Sequence, residues 1–233
     1  HCAGVPHGRG EQSGEWRERG LLERTRIEGR KPPGLPGCVQ EIRRRADLDF
    51  GGVSLVSITA YQRDDATEVF TQDAVKARIV DVNIVNGNRF FTQELQLLSQ
   101  NDSRFSWIAG GFFMKGRAFY DPLGLAGAGT GGDLRIFGEV KTTSWSGFAQ
   151  ATYEITDTTK LTGGLRYSSD RRRMNGRMTL DGTELLTDNR SKRWSEPTWR
   201  LSLDHELSPD VLIYGSYNRR FKGGVFSPAQ LGA

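Results

Sequence analysis

The chain has 233 residues, of which 36% are hydrophobic and 26% are charged, and its formal net charge is +4. It has no apolar run of the 18 or so residues that a membrane helix requires, which excludes a helical membrane protein. A membrane β-barrel stays open, because a spanning strand needs only about 9 to 11 residues and only every second one must be apolar.

Residues 1–45 differ in composition from the rest of the chain. They hold 10 Lys and Arg against 6 Asp and Glu, whereas residues 46–233 hold 22 of each class. They contain both cysteines, Cys2 and Cys38, and a single aromatic residue, Trp16. Because the segment is basic and rich in Gly and Pro, we expect it to be disordered or foreign to the domain over residues 46–233. Its interspersed acids and scarce aromatics argue against nucleic-acid binding.

From residue 47 onward apolar and polar residues alternate, which is the spacing of strands with two unlike faces. In the clearest run Trp145, Tyr153 and Ile155 fall on one face, while Gln150 and Glu154 fall on the other. About seven strands are predicted, over residues 53–62, 90–99, 105–114, 145–155, 160–168, 197–205 and 211–218.

The predicted connections between these strands alternate in length. The short ones are rich in turn residues and span residues 100–104, 156–159 and 206–210. The long ones exceed ordinary loops of compact domains and span residues 63–89, 115–144 and 169–193. All long loops therefore lie at one end of the strands, as in outer-membrane barrels. The sequence predicts an all-β, antiparallel up-and-down meander that forms a partial transmembrane β-barrel.

The aromatic positions agree with a barrel. Tyr153 lies near a short turn, whereas Trp145, Tyr167 and Tyr217 lie near the ends that carry the long loops, where the two interfacial girdles of a barrel are expected. The alternative is a soluble β-sandwich that acts as a binding module. A sandwich buries its apolar face between two sheets, whereas a barrel turns that face outward to lipid.

Several stretches resemble one family. Residues 147–157, GFAQATYEITD, followed by residues 161–167, LTGGLRY, resemble a barrel hairpin of TonB-dependent outer-membrane receptors. Further similar stretches occur at residues 91–97, 197–203 and 208–224. The resemblance covers roughly residues 47–233. It implies a Gram-negative receptor, surrounded by outer-membrane lipid, that takes up a scarce small ligand, often a ferric siderophore, with energy relayed by TonB.

The same resemblance implies parts that are not recognised in this sequence. The family barrel has 22 strands around a folded plug, whereas about seven strands and no plug are predicted here. Because the chain begins at His1 and not at Met, we expect it to be a fragment of a receptor. The contact with TonB would then be made through the missing plug of the full-length parent.

Only one cluster is a candidate for ligand binding. Arg171, Arg172 and Arg173 follow a predicted strand and offer donors for an anionic siderophore or a lipopolysaccharide phosphate, although a solvated charge run is the simpler interpretation.

We expect no catalytic residue, cofactor or metal site, and no enzyme activity. His205 is the only histidine beyond residue 45, and it falls on the apolar face near a short turn, so a Ser-His-Asp site has nowhere to form.

Two other patterns have structural interpretations. The glycine-rich residues 124–132 lack the Gly-Lys-Ser/Thr of a phosphate loop and are interpreted as a flexible extracellular loop. Four charged residues are expected to line a lumen or to form salt bridges between neighbouring strands. They are Glu94, Arg166, Arg200 and Asp204.

Overall fold

The computed structural model describes residues 12–18, 21–30, 37–72, 79–100 and 103–227, with side chains from residue 39 onward. These residues form one antiparallel sheet of ten strands, each paired with its neighbours in sequence. The strands are β1 (Gln12–Glu18), β2 (Leu21–Arg30), β3 (Gly37–Asp49), β4 (Val53–Thr71), β5 (Asp81–Ser99), β6 (Phe105–Ala126), β7 (Leu134–Thr156), β8 (Thr159–Leu180), β9 (Thr183–Ser208) and β10 (Val211–Arg219). In the described part of the chain, no helix is long and apolar enough to cross a membrane.

This architecture confirms the predicted all-β meander and partial barrel. The strand order follows the sequence from β1 to β10 without a crossover, and the sheet is not closed on itself within the described residues. The β-sandwich alternative is wrong, because a sandwich needs two packed sheets and the described strands build only one.

The strand count is ten within the described ranges, against about seven predicted. The additional strands are β1, β2 and β3, and β3 runs through the boundary that composition placed after residue 45: Arg45 pairs with Ile58, and Ala46 pairs with Ser57. The three consecutive arginines of β3 interrupt the period-two pattern, which hid the strand in the sequence. Residues 1–11, 19–20 and 31–36 lie outside the described residues, and disorder there stays a prediction.

The prediction of long loops at one end of the sheet is wrong, because most of the residues concerned lie in strands. Strands β6 to β9 run for 22, 23, 22 and 26 residues, at least twice the length that crosses a bilayer. The connections that remain span residues 72–80, 127–133 and 181–182. The residues expected in loops therefore extend the hairpins, and we call these extensions the arms. Both faces of an arm lie outside the lipid-facing zone, so apolar and polar residues need not alternate along its strands.

The tip of the arm formed by β8 and β9 is a two-residue turn. Asp181 and Gly182 both have positive φ, at 49° and 82°. Two positive φ angles define the turn type that matches the right-handed twist of a hairpin, and Asp-Gly is a favoured pair for it. The glycine-rich residues 124–132 also lie at a connection between strands. Residues 124–126 end β6, and residues 127–132 belong to the link between β6 and β7.

Candidate functional site

One face of the sheet carries large apolar side chains that remain exposed. Leu165, Leu201 and Leu203 expose 60%, 51% and 47% of their surface. They lie on the adjacent strands β8 and β9, where Leu201 pairs with Gly163 and Leu203 with Leu161. We call the face that carries them the outer face. A contiguous apolar surface of this kind marks contact with a membrane or another protein.

An aromatic residue stands on the outer face of each strand from β4 to β10. These seven residues, which we call the upper girdle, are Tyr61, Phe91, Phe113, Trp145, Tyr167, Trp199 and Tyr217. Two neighbouring pairs of the girdle are in ring contact: the ring centroids of Phe91 and Phe113 are 6.5 Å apart, and those of Trp145 and Tyr167 are 5.5 Å apart. The girdle separates the arms from the apolar band below it.

A second pair of aromatics bounds the apolar band at its other end. Tyr153 pairs directly with Phe105, next to the short turns, and both rings are about half exposed. Eight residues along β7 separate Tyr153 from Trp145, which is about 27 Å of extended strand. At the usual tilt of barrel strands this spans a height of about 20 Å, close to the apolar band of outer-membrane barrels. The predicted placement of both girdles is therefore observed.

The outer face also carries a few polar residues within the band. Gln93 Nε2 donates to Ser57 Oγ at 3.1 Å, and Thr59 Oγ1 donates to Gln93 Oε1 at 2.5 Å. These groups thus satisfy one another where water is scarce. Arg44 is the charged exception: it is exposed and pairs with Thr59 on β4. Its long aliphatic stem suits a position from which the guanidinium can extend to the interface.

The opposite, inner face is mainly polar and carries the four charged residues expected in a lumen. Glu94 accepts from Gln96 Nε2 at 2.6 Å, and the guanidinium of Arg166 lies 5.6 Å from the centre of the Phe148 ring. Arg200 and Asp204 share this face with them, by strand alternation from Leu201 and Leu203. Ion pairs on this face join other residues, for example Lys160 with Glu154 at 3.0 Å and Arg45 with Asp47 at 2.7 Å.

The segment after β10 packs against the inner face of the arm of β8 and β9. The ring centroids of Phe226 and Trp194 are 6.0 Å apart. A Cβ on Gly224 would lie 2.6 Å from the Trp194 ring, and one on Gly223 would lie 2.8 Å from Asp170 Oδ2. The paired glycines therefore permit a close approach that any side chain would block.

The three consecutive arginines lie within β8 and not in a loop. Strand alternation puts Arg171 and Arg173 on the outer face and Arg172 on the inner face. They pair with different neighbours: Arg171 with Arg193, and Arg173 with Ser191. The structure thus divides the predicted cluster between two sides of the wall, and its role in ligand binding stays a prediction.

His205 lies where the sequence predicted, on the outer face close to a short turn. Its Nδ1 is 2.9 Å from Thr159 Oγ1, across the β8–β9 pair. This contact gives the histidine a structural role. Among the residues that the structure describes, no group of three or more His, Cys, Asp or Glu side chains is placed to hold a metal ion.

Sequence reasoning missed an open groove on the outer face of the arms. It has a volume of about 380 Å³. The guanidinium of Arg117 lies 4.8 Å from the centre of the Phe119 ring, and that of Arg177 lies 4.7 Å from the centre of the Phe137 ring. All four residues fall in stretches that the sequence predicts to be loops, and the sequence therefore indicates no strand pairing that would bring them together.

Glu139 lies in this groove between two cations. Burial raises its pKa, but hydrogen bonds from Lys141 and Arg117 outweigh burial, so the pKa stays below its ordinary value. Lys141 Nζ is 2.9 Å from Glu139 Oε2, and Arg117 Nε donates to Oε1. The carboxylate therefore remains charged at neutral pH and holds both cations in place.

Comparison with known proteins gives a family match. The family model described as "TonB dependent receptor-like, beta-barrel" matches residues 20–233. The match begins within the segment that composition assigned to a foreign N-terminal region. A search of curated protein sequences found no match.

Three solved structures of similar fold are described as an uptake receptor, a transporter and an import receptor. The ferric yersiniabactin uptake receptor FyuA from Yersinia pestis has a TM-score of 0.69 at 16% identity, covering 84% of this chain and 32% of that one. The copper transporter OprC has a TM-score of 0.60 at 13% identity, covering 85% and 34%. The ferric-catecholate import receptor Fiu from E. coli K12 has a TM-score of 0.57 at 12% identity, covering 85% and 43%. The chain thus spans about a third to two fifths of these proteins.

Proposed function

The chain belongs to the TonB-dependent receptor β-barrel family, and we propose that it forms part of the wall and ligand collar of an outer-membrane transporter for a scarce small ligand. This is a family of transporters and not of enzymes. The observation that carries the proposal is the two-faced sheet. An exposed apolar band lies between aromatic girdles on one face, and polar side chains cover the other. Lipid contacts the first face, and a hydrated passage suits the second.

The ligand proposed is an iron–siderophore complex. Two of the similar structures are receptors for ferric siderophores, which supports this ligand class, whereas the third is a copper transporter. The long arms support a collar function, because outer-membrane barrels place their longer connections outside the cell. The inner charges Glu94, Arg166, Arg200 and Asp204 would line the passage in the intact receptor.

The partners proposed are those that an energised receptor needs. Outer-membrane lipid surrounds the apolar band, and the TonB system would act through the plug of the full-length receptor. These partners are proposed from family membership alone. This chain covers less than half the length of its structural neighbours, so the parts that would contact TonB belong to the full-length receptor.

The function is tested in cells that carry the full-length receptor. Deleting its gene should abolish uptake of one radioactive ferric siderophore from a panel, and restoring the gene should recover it. The matched control is a strain without TonB, in which uptake should also be lost. Copper-limited growth that depends on the receptor, with all ferric siderophores taken up normally, would contradict the ligand class. A receptor that fractionates outside the outer membrane would contradict the transporter function itself.

A further inference from the structure

Five basic residues form an unbroken row across five adjacent strands. Arg63 pairs with Arg89, Arg89 with Arg117, Arg117 with Lys141, and Lys141 with Arg173. Each pairing is between directly opposite residues on one face of the sheet. At the ordinary strand spacing the row is about 19 Å long. We call these five residues the basic row.

The basic row opposes the stability of the sheet. Like charges directly opposite each other on neighbouring strands are unfavourable, and the row contains four such pairs. Two carboxylates offset it in part: Asp65 contacts Arg63 at 2.6 Å and Arg89 at 3.9 Å, and Glu139 contacts Arg117 and Lys141. Among the described residues, no carboxylate forms an ion pair with Arg173. A net positive charge therefore remains along the row.

Further cations on the same face extend this surplus. Lys115 and Arg171 lie one outward-facing position from the row on β6 and β8, and Arg193 on β9 pairs with Arg171. Lys115 and Arg193 are exposed, whereas Arg171 is partly buried. Among the ion pairs that the structure describes, none involves them. Packing does not explain so many uncompensated cations on one side of a sheet, whereas a bound polyanion would.

The row lies directly beyond the upper girdle. Arg63 and Arg89 are two positions from Tyr61 and Phe91 on their strands. Arg117 and Lys141 are four positions from the girdle residue of their strands, and Arg173 is six. The row thus starts where the apolar band ends, at the depth of lipid head groups on the side of the arms.

The side chains of the row are accessible and held in position. Between 38% and 54% of the side-chain surface is exposed for Arg63, Arg89, Arg117 and Lys141. Arg89 and Arg117 both approach the ring of Phe119, at 5.8 and 4.8 Å from its centre. A guanidinium that is already stacked loses less freedom on binding, and its planar fork matches phosphate oxygens.

We propose that the basic row and its neighbouring cations bind the phosphate groups of anionic lipids in the leaflet that surrounds the arms. Head-group phosphates supply anions at the depth of the row. They form a continuous layer around the barrel, so they can contact all five residues of a row that is about 19 Å long. A ligand in transit would instead meet the inner face. The inference rests on the proposed insertion of this chain into the outer membrane.

The test uses the full-length receptor, purified in a neutral detergent, and bisphosphorylated lipid A as the probe. Bound lipid is counted by native mass spectrometry and its affinity is measured over a salt series. The wild type should bind lipid A at least tenfold more tightly than lipid A without phosphates, and the difference should shrink as salt rises. Equal binding of the two lipids would overturn the proposal.

A triple variant tests the row itself: Arg89→Gln, Arg117→Gln and Arg173→Gln. Since a cation near an anionic surface contributes about a fivefold factor in binding, the variant should lose at least tenfold in affinity for lipid A. The same positions changed to Lys keep the charge and should retain most of the binding. The matched control, Arg43→Gln, Arg45→Gln and Arg104→Gln, removes three cations elsewhere and should bind as the wild type does.

Two further outcomes separate the sources of phosphate and the two proposals. Displacement of lipid A by millimolar inorganic phosphate would indicate a site for the free ion and overturn the lipid assignment. Insertion is measured independently, by the heat-dependent migration of the barrel on a gel. Loss of insertion in the wild type would contradict the proposed function, whereas an inserted receptor that ignores lipid phosphates would contradict only the basic row.

Discussion

At the scale of single residues, the outer and inner faces impose opposite demands on neighbouring positions of one strand. Leu201 is half exposed on the outer face, whereas Ser202 beside it is 2% exposed on the inner face. Gln150 is also on the inner face, but it is exposed. The chemistry tolerated at a position therefore depends on the face, and the space available depends on the neighbours.

Replacing Leu201 with Arg in the full-length receptor should lower the free energy of unfolding by about 2 to 4 kcal/mol, because the charge would face lipid near the middle of the band. Gln150→Arg is the matched control, and we expect it to cost less than 1 kcal/mol, since that side chain faces the passage. Ser202 is unsuitable as a control, because an arginine there would also disrupt packing. Equal costs in a reversible folding assay would refute the assigned faces.

Glu139 gives a prediction for pH. Its pKa is held below the ordinary value, so its ion pairs stabilise the arms above the pKa of the unfolded chain, and this contribution is lost as pH falls through the lower, folded pKa. Glu139→Gln should therefore lower stability by about 1 kcal/mol at pH 7. The difference from the wild type should vanish in strong acid. Thermal unfolding of the detergent-purified receptor between pH 7 and 3 measures this, and a difference that grows toward acid would contradict it.

At the scale of elements, the arms depend on their turns and on continuous pairing. The arm of β8 and β9 closes in two residues, Asp181 and Gly182, and pairs from Leu180 and Thr183 down to the membrane end. Such an arm is rigid compared with a loop of 25 residues, because its backbone groups are hydrogen-bonded. Rigid arms present the basic row and the groove in a fixed arrangement.

Gly182→Val should loosen the tip of that arm, because valine is strained at a φ of 82°. We expect hydrogen exchange to accelerate at least tenfold in the last residues of β8 and the first of β9, with the membrane end unaffected. Gly147→Ala is the control, since Gly147 has no strained φ and a Cβ there meets nothing within 4 Å. Unchanged exchange at the tip in the valine variant would show that the turn does not hold the arm.

At the scale of the whole molecule, the sheet is open and one of its faces is apolar. The edge strand β10 exposes its unpaired side, and all nine of its residues are exposed. Open edges and a wide apolar surface both promote association in water. Closure of a barrel would pair these edges, and lipid would cover the apolar face.

The 233-residue chain alone should therefore not form a monodisperse monomer in water without detergent. Size-exclusion chromatography with light scattering should find aggregates or large oligomers, and detergent should reduce their size. A soluble monomer with a sharp, cooperative thermal transition would be incompatible with an exposed lipid-facing band.

The sequence by itself determined the period-two strands between residues 145 and 168, the meander and the positions of both girdles. These features are local, because alternation along one strand already states which residues share a face. The family resemblance also depends only on sequence, since several hairpins occur in order along the chain. The period-two signal stops where the apolar band stops, which is why the arms were predicted as loops. Three consecutive arginines interrupt the same signal in β3, which is why that strand was missed.

Only the tertiary structure decided which residues on different strands meet. Arg63, Arg89, Arg117, Lys141 and Arg173 are separated by 24 to 32 residues, and no local pattern connects them. The register of four strand pairs brings them into one row. Register is a property of paired strands, and a shift of one residue would turn a strand's cations to the opposite face. For the same reason the three arginines at 171–173, adjacent in sequence, lie on both faces of the wall.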